Sequence, residues 1–227
     1  MKSAVIVFPG SNCDRDAVSA CQKVGSKVSK IWHQETKLED DLDLIIVPGG
    51  FSYGDYLRSG AMAAISPVMQ EVKRLSKKGV KVLGICNGFQ ILTEAGLLEG
   101  VLLRNKKVKF ICRDVLLRVE NQNTAFTGKY KKSQIIKFPI AHMDGNYFAD
   151  PETLKRIEGN GNVAFRYVDV NGNVTDEANP NGAALNIAGI FNDQKNVLGL
   201  MPHPERAIDN NTGSIDGLSI FESLLAA

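Results

Sequence analysis

The chain has 227 residues and a net charge of +2, with 44% hydrophobic and 23% charged residues. That balance is ordinary for a globular protein and gives no charge-driven reason to bind nucleic acid or a membrane surface. The length suits one large α/β domain or two small ones, and the longest apolar runs are strand-sized rather than membrane-sized.

In chain order, residues 4–8 form an apolar run read as a buried strand, stopped by the turn Pro9-Gly10-Ser11-Asn12. Asn12 or Asp14 can cap the helix that follows, which carries Ala17, Val18, Cys21 and Val24 on one face and ends at Gly25. Residues 28–32 and 44–47 are further strands, the latter stopped by Pro48-Gly49-Gly50. Ser66-Pro67 starts a helix with proline at its first position, lined inside by Val68, Val72 and Leu75 and closed by Gly79. A strand at 82–85 then leads into a helix over 89–95, ended by Gly96. This alternation, with short Gly/Pro connections, predicts a flavodoxin-like, doubly wound α/β fold whose sheet is mostly parallel. The second half differs. Residues 108–112, 115–120, 134–139 and 163–168 are strand-like with one helix, 150–157, among them, and 169–183 reads as an Asn/Gly/Asp-rich loop. An antiparallel ribbon packed onto the parallel sheet is the expectation. Residues 197–200 return to a buried strand, and 213–227 form a closing helix with Leu218, Phe221, Leu224 and Leu225 inward. With no linker or repeat in view, residues 1–227 are expected to form a single domain.

The stretch Gly84-Ile85-Cys86-Asn87-Gly88 joins strand to helix. A lone cysteine in an apolar strand is usually inert core. Flanking glycines at an abrupt strand-to-helix turn instead expose the middle side chain in strained geometry and set it at a helix N-terminus, where a thiolate is favoured. A cysteine nucleophile needs a base and a third group to orient that base. His203 and Glu205, in Met201-Pro202-His203-Pro204-Glu205-Arg206 just past a strand, can supply both, and the prolines stiffen their turn. His142, beside a turn with Asp144, competes as a base, whereas His33 reads as surface or packing. Paired glycines at 49 and 50 let backbone N–H groups face an oxyanion, with the Asn87 amide as the second donor. No phosphate-cradling Gly-rich loop occurs, so ATP has no visible home in this chain.

Of the four cysteines, Cys13 follows a strand near a helix start but lacks the glycine elbow and ranks far behind Cys86; Cys21 and Cys112 read as core. None forms Cys-x-x-Cys or pairs with histidine at zinc-ligand spacing, so neither a disulfide nor a metal is expected. The lysines at 129, 131 and 132 read as a solvated turn. The N-terminus enters a strand without the apolar stretch of a signal peptide, which makes a cytoplasmic location the default.

Taken together, Gly49-Gly50, Gly84-Ile85-Cys86-Asn87-Gly88-Phe89-Gln90 and His203-Pro204-Glu205 resemble the class I glutamine amidotransferases. Pro9 to Asp14, Phe51 to Arg58 and Pro139 to Asn146 narrow the likeness to the small glutaminase subunits of phosphoribosylformylglycinamidine synthase. The resemblance implies hydrolysis of L-glutamine to glutamate and ammonia. The ammonia would pass to a large ATP-dependent synthetase subunit that converts formylglycinamide ribonucleotide to its amidine in purine biosynthesis. It implies a small bridging subunit as a second partner, no cofactor in this chain, and ATP and Mg on the synthetase. By the same resemblance Cys86 is the nucleophile, His203 the base and Glu205 its orienter. Gly50, Phe51 and Asn87 serve the oxyanion, while Gln90 and the turn containing His142, Gly145 and Asn146 hold glutamine. Two residues depart from the family pattern: Asp144 stands in place of Glu, and Ser59 follows Arg58 where Cys is common. Two other readings remain open at this point. A peptidase or deglycase with a similar elbow is disfavoured because its histidine usually follows the cysteine directly, where this chain has Asn87. A non-catalytic scaffold is disfavoured by the intact Cys, His and Glu.

Overall fold

The computed structural model describes residues 1–227, apart from the side chain of residue 212. Eleven strands run in chain order: β1 (Lys2–Val7), β2 (Lys27–Trp32), β3 (Leu44–Val47), β4 (Lys81–Ile85), β5 (Val101–Leu103), β6 (Ile111–Val119), β7 (Ile135–His142), β8 (Asn146–Phe148), β9 (Val163–Val168), β10 (Ile187–Phe191) and β11 (Val197–Leu200). The helices are α1 (Asp14–Lys23), α2 (Ala61–Ala64), α3 (Pro67–Lys77), α4 (Asn87–Glu94), α5 (Pro151–Gly159) and α6 (Leu218–Ala226).

Nine strands make one sheet in the order β2-β1-β3-β4-β11-β10-β9-β6-β7; β5 and β8 pair separately. The pairs β1–β2, β1–β3, β3–β4 and β4–β11 are parallel, and every pair from β11 to β7 is antiparallel. The fold is thus α/β with a parallel half and an antiparallel half. The antiparallel strands do not pack onto the sheet as a separate ribbon. They extend it, because β10 takes the free edge of β11.

Residue patterns explain the layout. All residues of β3, β9, β10 and β11 are buried, as two-sided cover requires. β7 alternates buried and more exposed residues and leaves one face toward solvent, while β2 at the other edge is largely exposed. Val68, Val72 and Leu75 of α3 are fully buried. In α6, Phe221 and Leu224 face inward, but Leu225 is exposed; Ile220 takes the inward place instead. The helix begins at Leu218, so the inward stripe runs through positions 220, 221 and 224 at helical spacing.

Two expected strands merge into one. The apolar runs 108–112 and 115–120 belong to one strand, β6, which starts only at Ile111. Val108, with φ 51°, lies in the turn before it. β10 and the short pair β5–β8 carry too little alternation to announce themselves. Cys112 is exposed on β6, not core. Among the described residues no helix is long and apolar enough to cross a membrane.

The parallel register does the positioning. β1, β3, β4 and β11 lie side by side in the order β1-β3-β4-β11 and point the same way, so the segments after Val7, Val47, Ile85 and Leu200 emerge at one sheet edge. Close packing of α4 on that edge depends on Gly88, where an added Cβ would stand 1.8 Å from the Val47 carbonyl oxygen. Gly88→Ala is therefore expected to cost about 1–3 kcal/mol of stability or more, since neighbouring backbone must shift. Equilibrium denaturant unfolding measures this, and an unchanged midpoint would refute the packing account.

Candidate active site

Cys86 stands alone between β4 and α4, with φ 51° and ψ −106°. A non-glycine residue rarely occupies that region, and its cost is met by the surrounding hydrogen bonds. The Cys86 amide donates to the Leu200 carbonyl at 2.8 Å, and its carbonyl accepts from the Gln90 amide at 3.2 Å. The thiol lies 3.7 Å from the Ala141 carbonyl oxygen on β7. Cys86 is 5% exposed, at the start of α4, where unpaired amides accumulate.

From the neighbouring strand β11 the chain turns through Met201 and Pro202 to His203, whose amide donates to the Pro139 carbonyl at 2.9 Å. A 3-10 turn over Pro204–Arg206 follows and brings Glu205 back under the ring. His203 Nδ1 and Glu205 Oε1 are 2.6 Å apart, and both residues are buried. Burial alone would lower the imidazole pKa. The Glu205 carboxylate and the nearby Cys86 and Cys13 sulfurs together outweigh it, and the ring is held well above its ordinary value. His203 Nε2 has no hydrogen-bond partner, so the ring presents one free nitrogen on the side away from its carboxylate. The structure thus brings Cys86, His203 and Glu205 together at one edge, although they are distant in sequence.

The oxyanion residues divide. An isolated antiparallel bridge joins Ser11 to Gly50, made by the Phe51 amide donating to Gly10 at 3.0 Å and the Asn12 amide donating to Gly49 at 3.4 Å. The Phe51 N–H is therefore occupied and is not an oxyanion donor in this conformation. Gly50 gives no group to those two bonds. Asn87 begins α4, and its side-chain oxygen accepts from the Ser52 amide at 3.1 Å.

Gln90 is almost fully buried, and both ends of its amide are used. Its oxygen accepts from Asn87 Nδ2 at 2.9 Å, and its nitrogen donates to the Asp144 carbonyl at 2.6 Å. Gln90 thus ties α4 to the turn between β7 and β8. His142 lies beneath that turn: a Cβ on Gly145 would fall 2.3 Å from the ring, so only glycine fits. The ring sits between Asn105 Oδ1, 3.2 Å from Nδ1, and Asn181 Nδ2, 3.5 Å from Nε2. Asn105 and Asn181 also hold the turn directly, accepting from the Gly145 amide at 3.0 Å and donating to its carbonyl at 2.8 Å. Asn146 opens β8 and is half-buried. The two departures from the family pattern meet here. Ser59 Oγ donates to Asp144 Oδ2 at 2.9 Å, and Arg104 Nε donates to Oδ1 at 3.2 Å. The shorter carboxylate is held in place by the hydroxyl.

Sequence reasoning passed over Asn105 and Asn181, whose only signal was their place in turns, and ranked Cys13 low. Cys13 lies in this site: its sulfur, a His203 ring nitrogen and a Glu205 oxygen are within 4.8 Å of one another. His33 is packing, stacked near Phe8 and bonded to the Tyr53 hydroxyl at 2.7 Å.

The sequence model of the CobB/CobQ-like glutamine amidotransferase domain matches residues 1–217. The chain belongs to this glutamine amidotransferase family. A phosphoribosylformylglycinamidine synthase subunit PurQ of Novosphingobium aromaticivorans is 58% identical over 98% of this chain and 96% of its own length. The subunit of the same name from Brucella suis is 56% identical over 99% of this chain and 98% of its own. The structure of PurLQS from Thermotoga maritima superposes with a TM-score of 0.88 at 45% identity, covering 99% of this chain and 97% of that one. A Trypanosoma brucei CTPS glutaminase domain, 11% identical with a TM-score of 0.62, shares the fold. As a member of the glutamine amidotransferase family, the chain is an enzyme that takes nitrogen from glutamine.

Burial, then the charge on His203, lowers the His142 pKa to about 4. Between about pH 4 and the free-histidine value near 6.5, the unfolded chain binds a proton that the folded chain refuses, so this group's share of stability falls as pH falls. The His142 ring is expected to stay neutral down to about pH 4 by NMR titration. The stability advantage of wild type over His142→Gln should shrink as pH drops through that window, and a ring titrating near 6.5 would overturn the assignment.

Proposed function

We propose that this chain is the glutaminase subunit of a phosphoribosylformylglycinamidine synthase, with residues 1–227 acting as one glutaminase domain. Cys86 is its nucleophile, His203 its base and Glu205 the group that orients the base. The observation that carries this reading is the buried His203–Glu205 pair beside a thiol on a strained strand-to-helix turn, in a chain of this family.

His203 takes the Cys86 proton and forms an imidazolium that Glu205 stabilises. The thiolate attacks the side-chain carbonyl carbon of glutamine. The oxygen takes up the charge facing the Asn87 amide at the start of α4, with the Gly50 amide as second donor. His203 then protonates the departing nitrogen, ammonia leaves, and a γ-glutamyl thioester remains on Cys86. Water, deprotonated by the same ring, attacks the thioester, and glutamate is released with the thiol restored. The Gln90-to-Asp144 link and the Asn105–Gly145–Asn181 clamp hold the wall that receives the amino-acid end of the substrate, with Asn146 at its rim.

Ammonia released into neutral water becomes ammonium, which is not a nucleophile, so the product must reach its consumer directly. The PurLQS assembly supports a large synthetase subunit, carrying ATP and Mg, and a small bridging subunit as partners, and a cytoplasmic setting fits that pathway. The loop after Gly50 supports docking beside the site. Tyr56 and Leu57 are 76% and 88% exposed, and Leu57 holds φ 67° without burying its side chain.

Two measurements test the reading. Cys86→Ala is expected to lower glutamate release, assayed with the synthetase and bridging subunits present, by about a thousandfold or more. Undiminished release would discard the mechanism, and normal complex formation without turnover in wild type would favour the scaffold reading. Leu57→Asp is expected to weaken binding to the synthetase by about tenfold or more in calorimetric titration while leaving the circular dichroism spectrum unchanged. Equal affinity would place the docking face elsewhere.

A further inference from the structure

The reaction leaves one residue in the wall of the site unused. Cys13 immediately precedes α1, and its amide donates to the Gly49 carbonyl at 3.2 Å, which fastens it to the end of β3. Its sulfur is buried and has a fixed place. The S–H donates to Asn12 Oδ1 at 3.1 Å, and the sulfur accepts from Arg206 Nη2 at 3.2 Å. Arg206 is itself tied down, because its Nε donates to Asp16 Oδ2 at 3.0 Å in the first turn of α1. From that place the sulfur lies within 4.8 Å of a His203 ring nitrogen and of a Glu205 carboxylate oxygen. Gly49 closes the same corner: a Cβ there would stand 2.9 Å from His203 Cε1 and 3.1 Å from Cys13 Sγ.

The ring needs such a neighbour. Its one hydrogen bond among the described residues is the 2.6 Å contact from Nδ1 to Glu205 Oε1, and neither His203 Nε2 nor Glu205 Oε2 has a partner. One hydrogen bond fixes a point of a ring and leaves its plane free to swing about that contact. Proton transfer at Nε2 needs donor and acceptor within about 2.6–3.2 Å of each other. A misplacement of about 1 Å costs on the order of a hundredfold in rate. A sulfur pinned by two hydrogen bonds and set against the pair supplies a second point of support. Because its S–H is turned to Asn12, what the sulfur offers the ring is lone-pair density, which favours the imidazolium.

We propose that Cys13 is a positioning residue: its sulfur, held by Asn12 and Arg206, sets the plane of the His203 ring and thereby the direction of Nε2. The other titratable and charged groups around the ring are Glu205 and Arg206 of the 3-10 turn, Cys86 between β4 and α4, His142 on β7, and Asp16 of α1, which is paired with Arg206. The Cys13 sulfur is among the groups that hold the imidazole above its ordinary value, so its removal moves the ring's titration to lower pH. The effect on rate rests on His203 being the base, whereas the anchoring of the ring does not.

Glutamate release by the assembled enzyme and ring-nitrogen NMR of the full-length chain test this together, with thermal melting confirming that each variant is folded. Cys13→Ala is expected to lower kcat by about tenfold to a hundredfold while KM for glutamine stays within about twofold. Cys13→Ser keeps one donor and one acceptor in nearly the same place and should recover kcat to within about threefold of wild type. The His203 titration should move to lower pH by about half a pH unit or more in Cys13→Ala and return in Cys13→Ser. That of His33, which packs beside Phe8, should stay put. An unmoved His203 titration in folded Cys13→Ala would overturn the proposal, whatever happened to kcat. So would a Cys13→Ser variant no better than Cys13→Ala in both measurements. A titration that moves with kcat unchanged would keep Cys13 as the anchor of the ring and count against His203 as the base.

Discussion

The chemistry of this fold depends on one backbone constraint: β4 must end and α4 begin with a single residue between them. Cys86 occupies that position with φ 51°, a conformation most side chains avoid. The turn is held from both sides. β11 accepts the Cys86 amide, α4 returns the Gln90 amide to its carbonyl, and Gly88 lets the helix lie directly on the end of β3. Relaxing the turn would move the thiol away from the edge where the other strand ends deliver their residues. Strain at Cys86 is therefore the consequence of packing a helix start against three parallel strands at once.

The same edge explains how remote segments come to cooperate. A parallel strand pair in register brings its two carboxyl ends to one level, so β4 and β11 set Cys86 and His203 side by side without any loop having to reach. Glu205 needs no tertiary contact to find the ring, because a short 3-10 turn closes the distance within three residues. The pair is stable in its buried setting because each partner compensates the cost of burying the other. The raised imidazole pKa is the electrostatic record of that compensation.

Much of this was legible in the chain, and the reason is local. The elbow announces itself through glycines at 84 and 88, the parallel half through apolar runs that end in Gly or Pro, and the dyad through His and Glu two residues apart after the last such run. What escaped was set by pairing or by competition for hydrogen bonds. β10 is apolar on every residue and had no alternation to mark it; its existence depends on the open edge of β11. The Phe51 amide looked like an oxyanion donor until the Ser11–Gly50 bridge claimed it. Cys13 looked peripheral by spacing because its place beside His203 depends on β1 lying next to β3, a relation no local window contains. His142 looked like a base or a ligand, yet its ring supports a glycine turn from below.

The two departures from the family pattern are better read as one change. They touch each other: the Ser59 hydroxyl donates to the Asp144 carboxylate at 2.9 Å. That contact links the end of the exposed 51–58 loop to the turn between β7 and β8, while Ser52 links the start of the same loop to the side chain of Asn87. Asn87 in turn bonds Gln90, and Gln90 bonds the backbone of Asp144. The circuit is closed: loop, helix start and the turn between β7 and β8 share one set of hydrogen bonds. The exposed Tyr56 and Leu57 therefore lie in a segment tied at both ends, to the Asn87 side chain at 3.1 Å and, through Ser59, to the Asp144 carboxylate at 2.9 Å. A partner docked on that loop, as proposed above, would act on the start of α4 and on the turn between β7 and β8 through those hydrogen bonds rather than through the core.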